Sequence, residues 1–236
     1  MLKKNAWLPR PTDMTPRVIL LLVAVALVAG AFSVMVYPYL RRGPLSPQCF
    51  DVPCEHLRIR MPAIESHIAQ NPSLPVYIAF GDSITEYAIL PELCGRQPIN
   101  AGIGDSSVAS FIPHAQRLAQ LANADFIVIT LGTKDALVGR RDQFRQLMDQ
   151  LLQTLSGFQT LLVPLPPGPA VKEASDFNAM LAEFGMPTAS SLRHVDTTDG
   201  IHLTAPSYVE WKQTLVDAAT RYVCPDQQSK AHLPAR

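Results

Sequence analysis

The chain has 236 residues, of which 47% are hydrophobic and 17% are charged, and its formal net charge is zero. This length is sufficient for one well-packed domain and a short appendage. The balanced charge and the lack of any basic run longer than Arg41-Arg42 exclude the electrostatic footprint of a nucleic-acid-binding protein.

An apolar segment lies near the N-terminus. Residues 18–37 contain no charged side chain, and such a stretch is long enough, as a helix, to cross the hydrocarbon core of a bilayer. We therefore predict a transmembrane helix at residues 18–37. More basic residues precede this segment than closely follow it, namely Lys3, Lys4, Arg10 and Arg17 against Arg41 and Arg42. The positive-inside rule then makes residues 1–17 a cytoplasmic tail.

The rest of the chain is accordingly expected outside the cytoplasm, as in a single-pass protein of the cytoplasmic (inner) membrane whose domain faces the periplasm. A cleaved signal peptide is the alternative, because Ala29-Gly30-Ala31 offers small residues for cleavage. Its apolar region would be longer than the roughly seven to fifteen residues usual in signal peptides. We therefore favour an uncleaved signal anchor.

All four cysteines, which are Cys49, Cys54, Cys94 and Cys224, follow the predicted span. Their even number and the oxidising compartment expected there indicate disulfides. Four cysteines allow three pairings, and the sequence does not choose among them. A bond between Cys49 and Cys54 would close a small loop, whereas a bond from either of them to Cys224 would tie together the two ends of the domain.

Residues 38–75 are rich in proline and only briefly amphipathic, between positions 59 and 68. We predict an extracytoplasmic linker that contains a short helix, and we assign His56 to this linker or to the surface. Residues 225–236 are polar and predict a frayed C-terminal tail. The folded domain is therefore expected at residues 76–224.

Within that domain, short apolar runs alternate with longer stretches of helical spacing, which is typical of strands joined by crossover helices. The predicted strands are residues 76–80, 97–100, 126–131 and 160–164, and the predicted helices are residues 107–121, 144–155, 171–184 and 205–222. This order predicts an α/β fold with a mostly parallel sheet covered by helices. Ligands bind such sheets at the carboxyl ends of the strands.

A serine follows the first predicted strand, in the sequence Gly81-Asp82-Ser83. A nucleophilic serine needs a general base within hydrogen-bond reach and a carboxylate that orients this base. Asp199 and His202 are three residues apart, just before the last predicted helix, so one tight turn would bring the carboxylate onto the imidazole. Each stretch alone is ordinary turn chemistry, and the interpretation depends on finding both.

Together, the two stretches resemble the first and last blocks of the SGNH hydrolases, the GDSL-type lipase and esterase family. The resemblance covers roughly residues 75–222, including the order and approximate spacing of the blocks. It implies a three-layer α/β/α sandwich of flavodoxin-like type. It also implies that Ser83 is the nucleophile, His202 the general base and Asp199 the residue that orients the base.

Two middle blocks of that family supply an oxyanion hole, through a glycine N–H and an asparagine amide beside the N–H of the nucleophile. The stretch that begins at Asn100 resembles the glycine block. The family's glycine is commonly five residues after the asparagine, where this chain has Asp105. With a gap of one residue, the resemblance assigns the role to Gly104, with Gly102 as the second choice.

Lys134 stands where the other block of the family, in residues 131–135, would place its asparagine. Removing one oxyanion donor typically costs on the order of a hundred- to a thousandfold in turnover. The Lys134 ammonium could act as a donor to the oxyanion or contact an anionic group of the substrate. It could instead pair with Asp135 or Asp105 and leave the hole short of a donor.

The resemblance and the predicted anchor together imply a membrane-anchored serine esterase that acts on a cell-envelope carbohydrate or lipid ester. The short connections between the elements leave no insertion for a lid over a long lipid, so we expect short, acetyl-like acyl groups. An O-acyltransferase that uses the same acyl-enzyme, or a binding protein with impaired catalysis, is the alternative. We expect no metal, because the string His194, Asp196, Asp199 and His202 lacks the helical spacing of a metal motif. We expect no nucleotide cofactor, and the oligomeric state stays open.

Overall fold

The computed structural model describes residues 54–224 of the chain. The predicted cytoplasmic tail, the predicted span at residues 18–37, Cys49 and the tail at residues 225–236 lie outside the described residues. Within residues 54–224, no helix combines the length and apolar character that a membrane crossing requires.

Four parallel strands form one sheet in the order β2-β1-β3-β4. Their bounds are Val76–Gly81 for β1, Gln97–Gly102 for β2, Phe126–Thr130 for β3 and Thr160–Leu162 for β4. All four predicted strands are therefore present, with ends that differ by at most two residues from the predicted ones. The order places the chain's first strand between the next two, as in doubly wound α/β sheets.

Alternate residues of the strands supply two separate cores, one on each face of the sheet. Ile78 and Phe80 of β1 belong to the larger core, whereas Tyr77 and Ala79 belong to the smaller one. All six residues of β1 are buried, since helices cover both faces. This arrangement agrees with the predicted α/β/α layering.

Eight helices are described, and most of them follow the predicted apolar stripes. They are α1 (Cys54–Ala69), α2 (Ser83–Tyr87), α3 (Val108–Phe111), α4 (Ala115–Leu121), α5 (Thr133–Leu137), α6 (Arg141–Thr154), α7 (Ala174–Ala182) and α8 (Ala205–Tyr222). Side chains from α1, α3, α4, α6 and α7 fill the larger core, and the stripe of α8 around Trp211 fills the smaller one.

The segment predicted as a linker contains α1, which is part of the packed domain. Leu57, Ile64 and Ile68 of this helix are buried in the larger core. The amphipathic pattern at residues 59–68 predicted only a short helix, whereas α1 begins at Cys54 and continues through Pro62. The folded domain therefore begins no later than residue 54, rather than at residue 76.

The helix predicted for residues 107–121 is divided into α3 and α4. Pro113 lies between them, and proline lacks an N–H and disfavours helical geometry in the preceding residue. The division leaves His114 partly buried at the start of α4. Burial is the main cause that lowers the pKa of His114.

A disulfide joins Cys94, in the segment between α2 and β2, to Cys224, just after α8. Their Cα atoms are 6.0 Å apart, and the bond closes a loop across a sequence separation of 130 residues. The structure thus identifies the partner of Cys224, which the sequence left open.

Candidate active site

The segments that follow β1, β2 and β3 meet at one edge of the sheet. Gly81, the last residue of β1, pairs with Gly102 at the end of β2 and with Thr130 at the end of β3. Because β1 has a parallel neighbour on each side, the three carboxyl ends form the type of crevice in which α/β proteins bind ligands. Ser83 lies two residues beyond the end of β1.

Ser83 is the first residue of α2, and Asp82 caps this helix by accepting a hydrogen bond from the Ile84 N–H at 3.0 Å. Gly81, at the end of β1, has a φ outside the left-handed region. Its role is close packing, since a Cβ there would overlap the hydroxyls of Thr85 and Thr130.

His202 and Asp199 lie beside Ser83, although 119 residues separate Ser83 from His202 in the sequence. The His202 Nε2 atom is 2.8 Å from the Ser83 Oγ atom, and the His202 Nδ1 atom is 2.6 Å from Asp199 Oδ2. The carboxylate thus lies on one ring nitrogen and the serine hydroxyl on the other. This is the arrangement needed to activate a serine through a general base.

The turn that presents His202 is held by Asp199 itself. Asp199 Oδ1 accepts hydrogen bonds from the backbone N–H groups of His202, at 2.8 Å, and Ile201, at 3.0 Å. Gly200 makes the turn possible because its φ of 93° is favourable for glycine. The backbone N–H of His202, followed by its side chain and the Ile201 N–H, lowers the pKa of Asp199 to about 2. Asp199 is therefore ionised throughout the neutral range.

Asp82 lines the same cavity as Ser83, and its side chain is almost fully buried. Burial raises its pKa to about 6, while hydrogen bonds from Thr133 and Ile84 oppose the increase. Asp82 therefore titrates close to neutral pH, whereas Asp199 does not.

The two glycines predicted to form the oxyanion hole both have their N–H groups engaged. The Gly104 N–H donates to Glu86 Oε2 at 2.5 Å, and the Gly102 N–H donates to Asn100 Oδ1 at 2.9 Å. Neither N–H is left to face an oxyanion at Ser83 in this arrangement. The geometry therefore does not support the assignment made with a gap of one residue.

Asp105 occupies the position that the sequence analysis passed over. Its φ is 63°, the left-handed conformation that glycine adopts most easily and that aspartate tolerates better than most residues. The backbone N–H of Asp105 donates no hydrogen bond within the described residues. Asp105 also lines the same cavity as Ser83. The spacing of five residues from Asn100 pointed to Asp105 as the oxyanion donor. The sequence-based assignment preferred Gly104 because Asp105 is not a glycine.

Lys134 also lines the cavity, and its ammonium pairs with the Asp105 carboxylate. This is one of the pairings anticipated from the sequence. The Lys134 side chain is 24% exposed and that of Asp105 is 48% exposed, so the pair lies at the wall of the cavity. An ammonium has three N–H donors, and the single hydrogen bond to Asp105 leaves others for a ligand.

Helix α1 also contributes to the site, which the sequence analysis missed. His56 lines the cavity instead of lying in a linker, and its Nε2 atom is 2.9 Å from Glu86 Oε2. Arg60 donates to the Gly102 carbonyl oxygen through Nη2 at 2.8 Å. No sequence motif connects these residues to Ser83; only the packing of α1 against the sheet does so.

The resulting cavity is open and has a volume of about 330 Å³. It is lined by polar residues (His56, Asp82, Ser83, Asp105, Thr133, Lys134 and His202) and by Tyr87, Gly104, Leu137 and Ile201. Within residues 54–224, no group of three or more His, Cys, Asp or Glu side chains is arranged to hold a metal ion.

Solved structures of lipases and acylhydrolases have a similar fold. A lipase/acylhydrolase from Enterococcus faecalis is 18% identical, with a TM-score of 0.53 over 63% of this chain and 97% of the other. A GDSL-like lipase from Bacteroides thetaiotaomicron is 16% identical, with a TM-score of 0.54 over 67% of this chain and 97% of the other. The chain has the fold of the GDSL-type acylhydrolases. An acetyl xylan esterase also has a similar fold at 16% identity, with a TM-score of 0.52 over 61% of this chain and 99% of the other.

Sequence comparison adds no further relative. No protein-family model matches the sequence, and no curated protein matches it. The likeness to GDSL-type enzymes therefore consists of the fold, to which the geometry around Ser83 is added.

Proposed function

We propose that this protein is a serine esterase of SGNH/GDSL type, which removes short acyl groups such as acetyl from esters. The observation that supports it best is the line of contacts from Asp199 through His202 to Ser83, with distances of 2.6 and 2.8 Å. In a GDSL fold, this line stands at the sheet edge where ligands bind. A cavity of about 330 Å³ next to it accommodates a small ester.

The reaction begins when the Ser83 Oγ attacks the ester carbonyl and His202 Nε2 takes the hydroxyl proton. Asp199 stabilises the imidazolium that forms. The N–H groups of Ser83 and Asp105, with the Lys134 ammonium, donate to the oxyanion. His202 then gives the proton to the leaving alcohol, and an acyl group remains on Ser83. Water attacks this acyl group by the same route in reverse and releases the acid.

We also propose that the protein is anchored in the cytoplasmic membrane with the esterase domain outside the cytoplasm. The uncharged segment at residues 18–37 and the basic residues before it support this topology. A cell-envelope carbohydrate or lipid ester would be the substrate within reach. The acetyl xylan esterase with the same fold supports an acetylated glycan.

The test is covalent labelling of the detergent-solubilised full chain with a fluorophosphonate, together with hydrolysis of an aryl acetate. We expect labelling and turnover in the wild type, and the loss of both in Ser83→Ala. Ser73→Ala, which changes an exposed serine, is the matched control and keeps both. A folded wild type that neither labels nor turns over would contradict the esterase and favour a binding protein.

A further inference from the structure

His56 lies in the same cavity as Ser83 but has no part in the relay through His202 and Asp199. It comes from α1, which crosses to the sheet edge from a segment preceding the first strand. Its side chain is 37% exposed, so a ligand in the cavity can reach the ring. The question is which group of a substrate such an imidazole would contact.

Glu86 fixes the orientation of the His56 ring. Its carboxylate, on a side chain only 14% exposed, lies 2.9 Å from His56 Nε2 and accepts the Gly104 N–H at 2.5 Å. The other carboxylate oxygen is 3.2 Å from Arg60 Nε, and Arg60 also bonds to the Gly102 carbonyl oxygen. A carboxylate this buried is stable because each of its oxygens has a partner.

The carboxylate also determines the hydrogen-bonding character of the ring. In the neutral imidazole, the nitrogen that faces Glu86 carries the proton, so the other nitrogen, Nδ1, is an acceptor. Nδ1 of His56 has no hydrogen-bond partner within residues 54–224. The arrangement resembles that of Asp199 and His202, with the two ring nitrogens exchanged.

His56 is close enough to contact a substrate attached to Ser83. A Cβ placed on Gly104 would lie 3.3 Å from His56 Nε2 and 3.7 Å from Ser83 Cβ. The Nε2 atom of His56 is therefore within about 7 Å of the nucleophile's Cβ, the sum of those two distances. The ring that carries the unpartnered Nδ1 thus lines the part of the cavity next to Ser83.

The charges around the ring favour an uncharged partner. Glu86 is paired with Arg60, and Lys134 is paired with Asp105, so this wall of the cavity consists of neutral pairs. An anionic group would meet the acceptor nitrogen and the nearby carboxylates. A hydroxyl can donate to Nδ1 without bringing a charge that must be desolvated.

We propose that His56 binds a free hydroxyl on the alcohol part of the ester, next to the bond that is cleaved. The substrate class is then esters of polyhydroxylated alcohols, such as sugars or glycerol, in preference to esters of simple alcohols. This inference rests on the proposed esterase function. It assigns to α1 the recognition of the alcohol, and Glu86 and Arg60 are the positioning residues for His56.

The test compares glycerol monoacetate with propyl acetate, two esters that differ only in their hydroxyls, using the full chain in detergent. For the wild type, we expect a higher kcat/KM on glycerol monoacetate. In His56→Phe, the ratio of the two kcat/KM values falls about tenfold, the size expected for one lost hydrogen bond. His67→Phe, at an exposed position of the same helix, keeps the wild-type ratio. A ratio unchanged in His56→Phe overturns the proposal.

A measurement on the wild type alone covers the case in which His56→Phe does not fold. The acetyl-enzyme is offered glycerol or 1-propanol in competition with water. The alcohol's proton passes to His202 as its oxygen attacks the acetyl carbon, and it returns to Ser83 as the bond to the enzyme breaks. Preference for glycerol supports the proposal, and equal use of both alcohols overturns it. No labelling at Ser83 and no turnover of either ester would instead overturn the proposed function, and the inference with it.

Discussion

The Lys134–Asp105 pair is the sharpest point at which the proposed oxyanion hole can be tested. The GDSL-type family that the sequence resembles has asparagine and glycine at these two positions, and in this chain the two residues that stand there contact each other. Because the cation donates to the oxyanion in our mechanism, Lys134→Ala should lower kcat by about a hundred- to a thousandfold. Asp105→Asn keeps the N–H, since asparagine also tolerates the φ of 63°, but it removes the carboxylate that holds Lys134. We expect a smaller loss from it, of about tenfold.

The replacement Lys134→Asn supplies a planar amide but leaves the Asp105 carboxylate unpaired beside the developing oxyanion. Two charges 4 Å apart repel by about 1 kcal/mol in water and about 4 kcal/mol near a protein surface. Because the Asp105 side chain is 48% exposed, we expect a repulsion of about 1 to 2 kcal/mol. This repulsion corresponds to a loss of roughly five- to thirtyfold in kcat. The double variant Lys134→Asn/Asp105→Gly removes this charge and should recover to within about tenfold of the wild type.

The assay measures kcat and kcat/KM on an aryl acetate, and the rate of fluorophosphonate labelling, for the four variants and the wild type. Thermal unfolding of each protein shows whether a loss of activity comes from a loss of folded protein. If Lys134→Ala stays within threefold of the wild type, Lys134 does not donate to the oxyanion. If the double variant is less active than Lys134→Asn, Lys134 and Asp105 do not take the place of the asparagine and glycine of the GDSL-type family.

Two further predictions concern stability. Between pH 4 and pH 6 the unfolded chain loses the Asp82 proton while the folded protein keeps it, because burial raises the pKa from 3.8 to about 6. The stabilisation from Asp82 is complete below pH 4 and decreases by about 3 kcal/mol as pH rises to 6. Urea unfolding should therefore show that the free energy of unfolding of Asp82→Asn rises by this amount relative to that of the wild type between pH 4 and pH 7. A difference that does not change with pH would refute a raised pKa of Asp82. Replacing both Cys94 and Cys224 by serine should lower the free energy of unfolding by about 2 to 5 kcal/mol, given a separation of 130 residues. A reductant should lower the Tm of the wild type but not that of the serine variant, and equal shifts would argue against a stabilising bond.

The sequence by itself determined the layered α/β architecture and the three residues brought together at the sheet edge. Short continuous apolar runs and stripes of period 3.6 are local signals, and the strands at 76–81 and 126–130 are such runs, buried along their whole length. Ser83 and the turn from Asp199 to His202 were equally readable, because each lies in a short motif that directly follows or precedes a regular element. The resemblance to the SGNH hydrolases, which depends on both motifs and their order, implied that they meet.

Only the tertiary structure decided which N–H groups face the cavity. The Gly104 N–H is used by a glutamate 18 residues away, and the availability of the Asp105 N–H depends on a backbone angle that no pattern of side chains reveals. The contribution of α1 was hidden for a different reason. Its apolar stripe is weak and interrupted by Pro62, so its burial, and with it the position of His56, comes from packing against the sheet rather than from local preference.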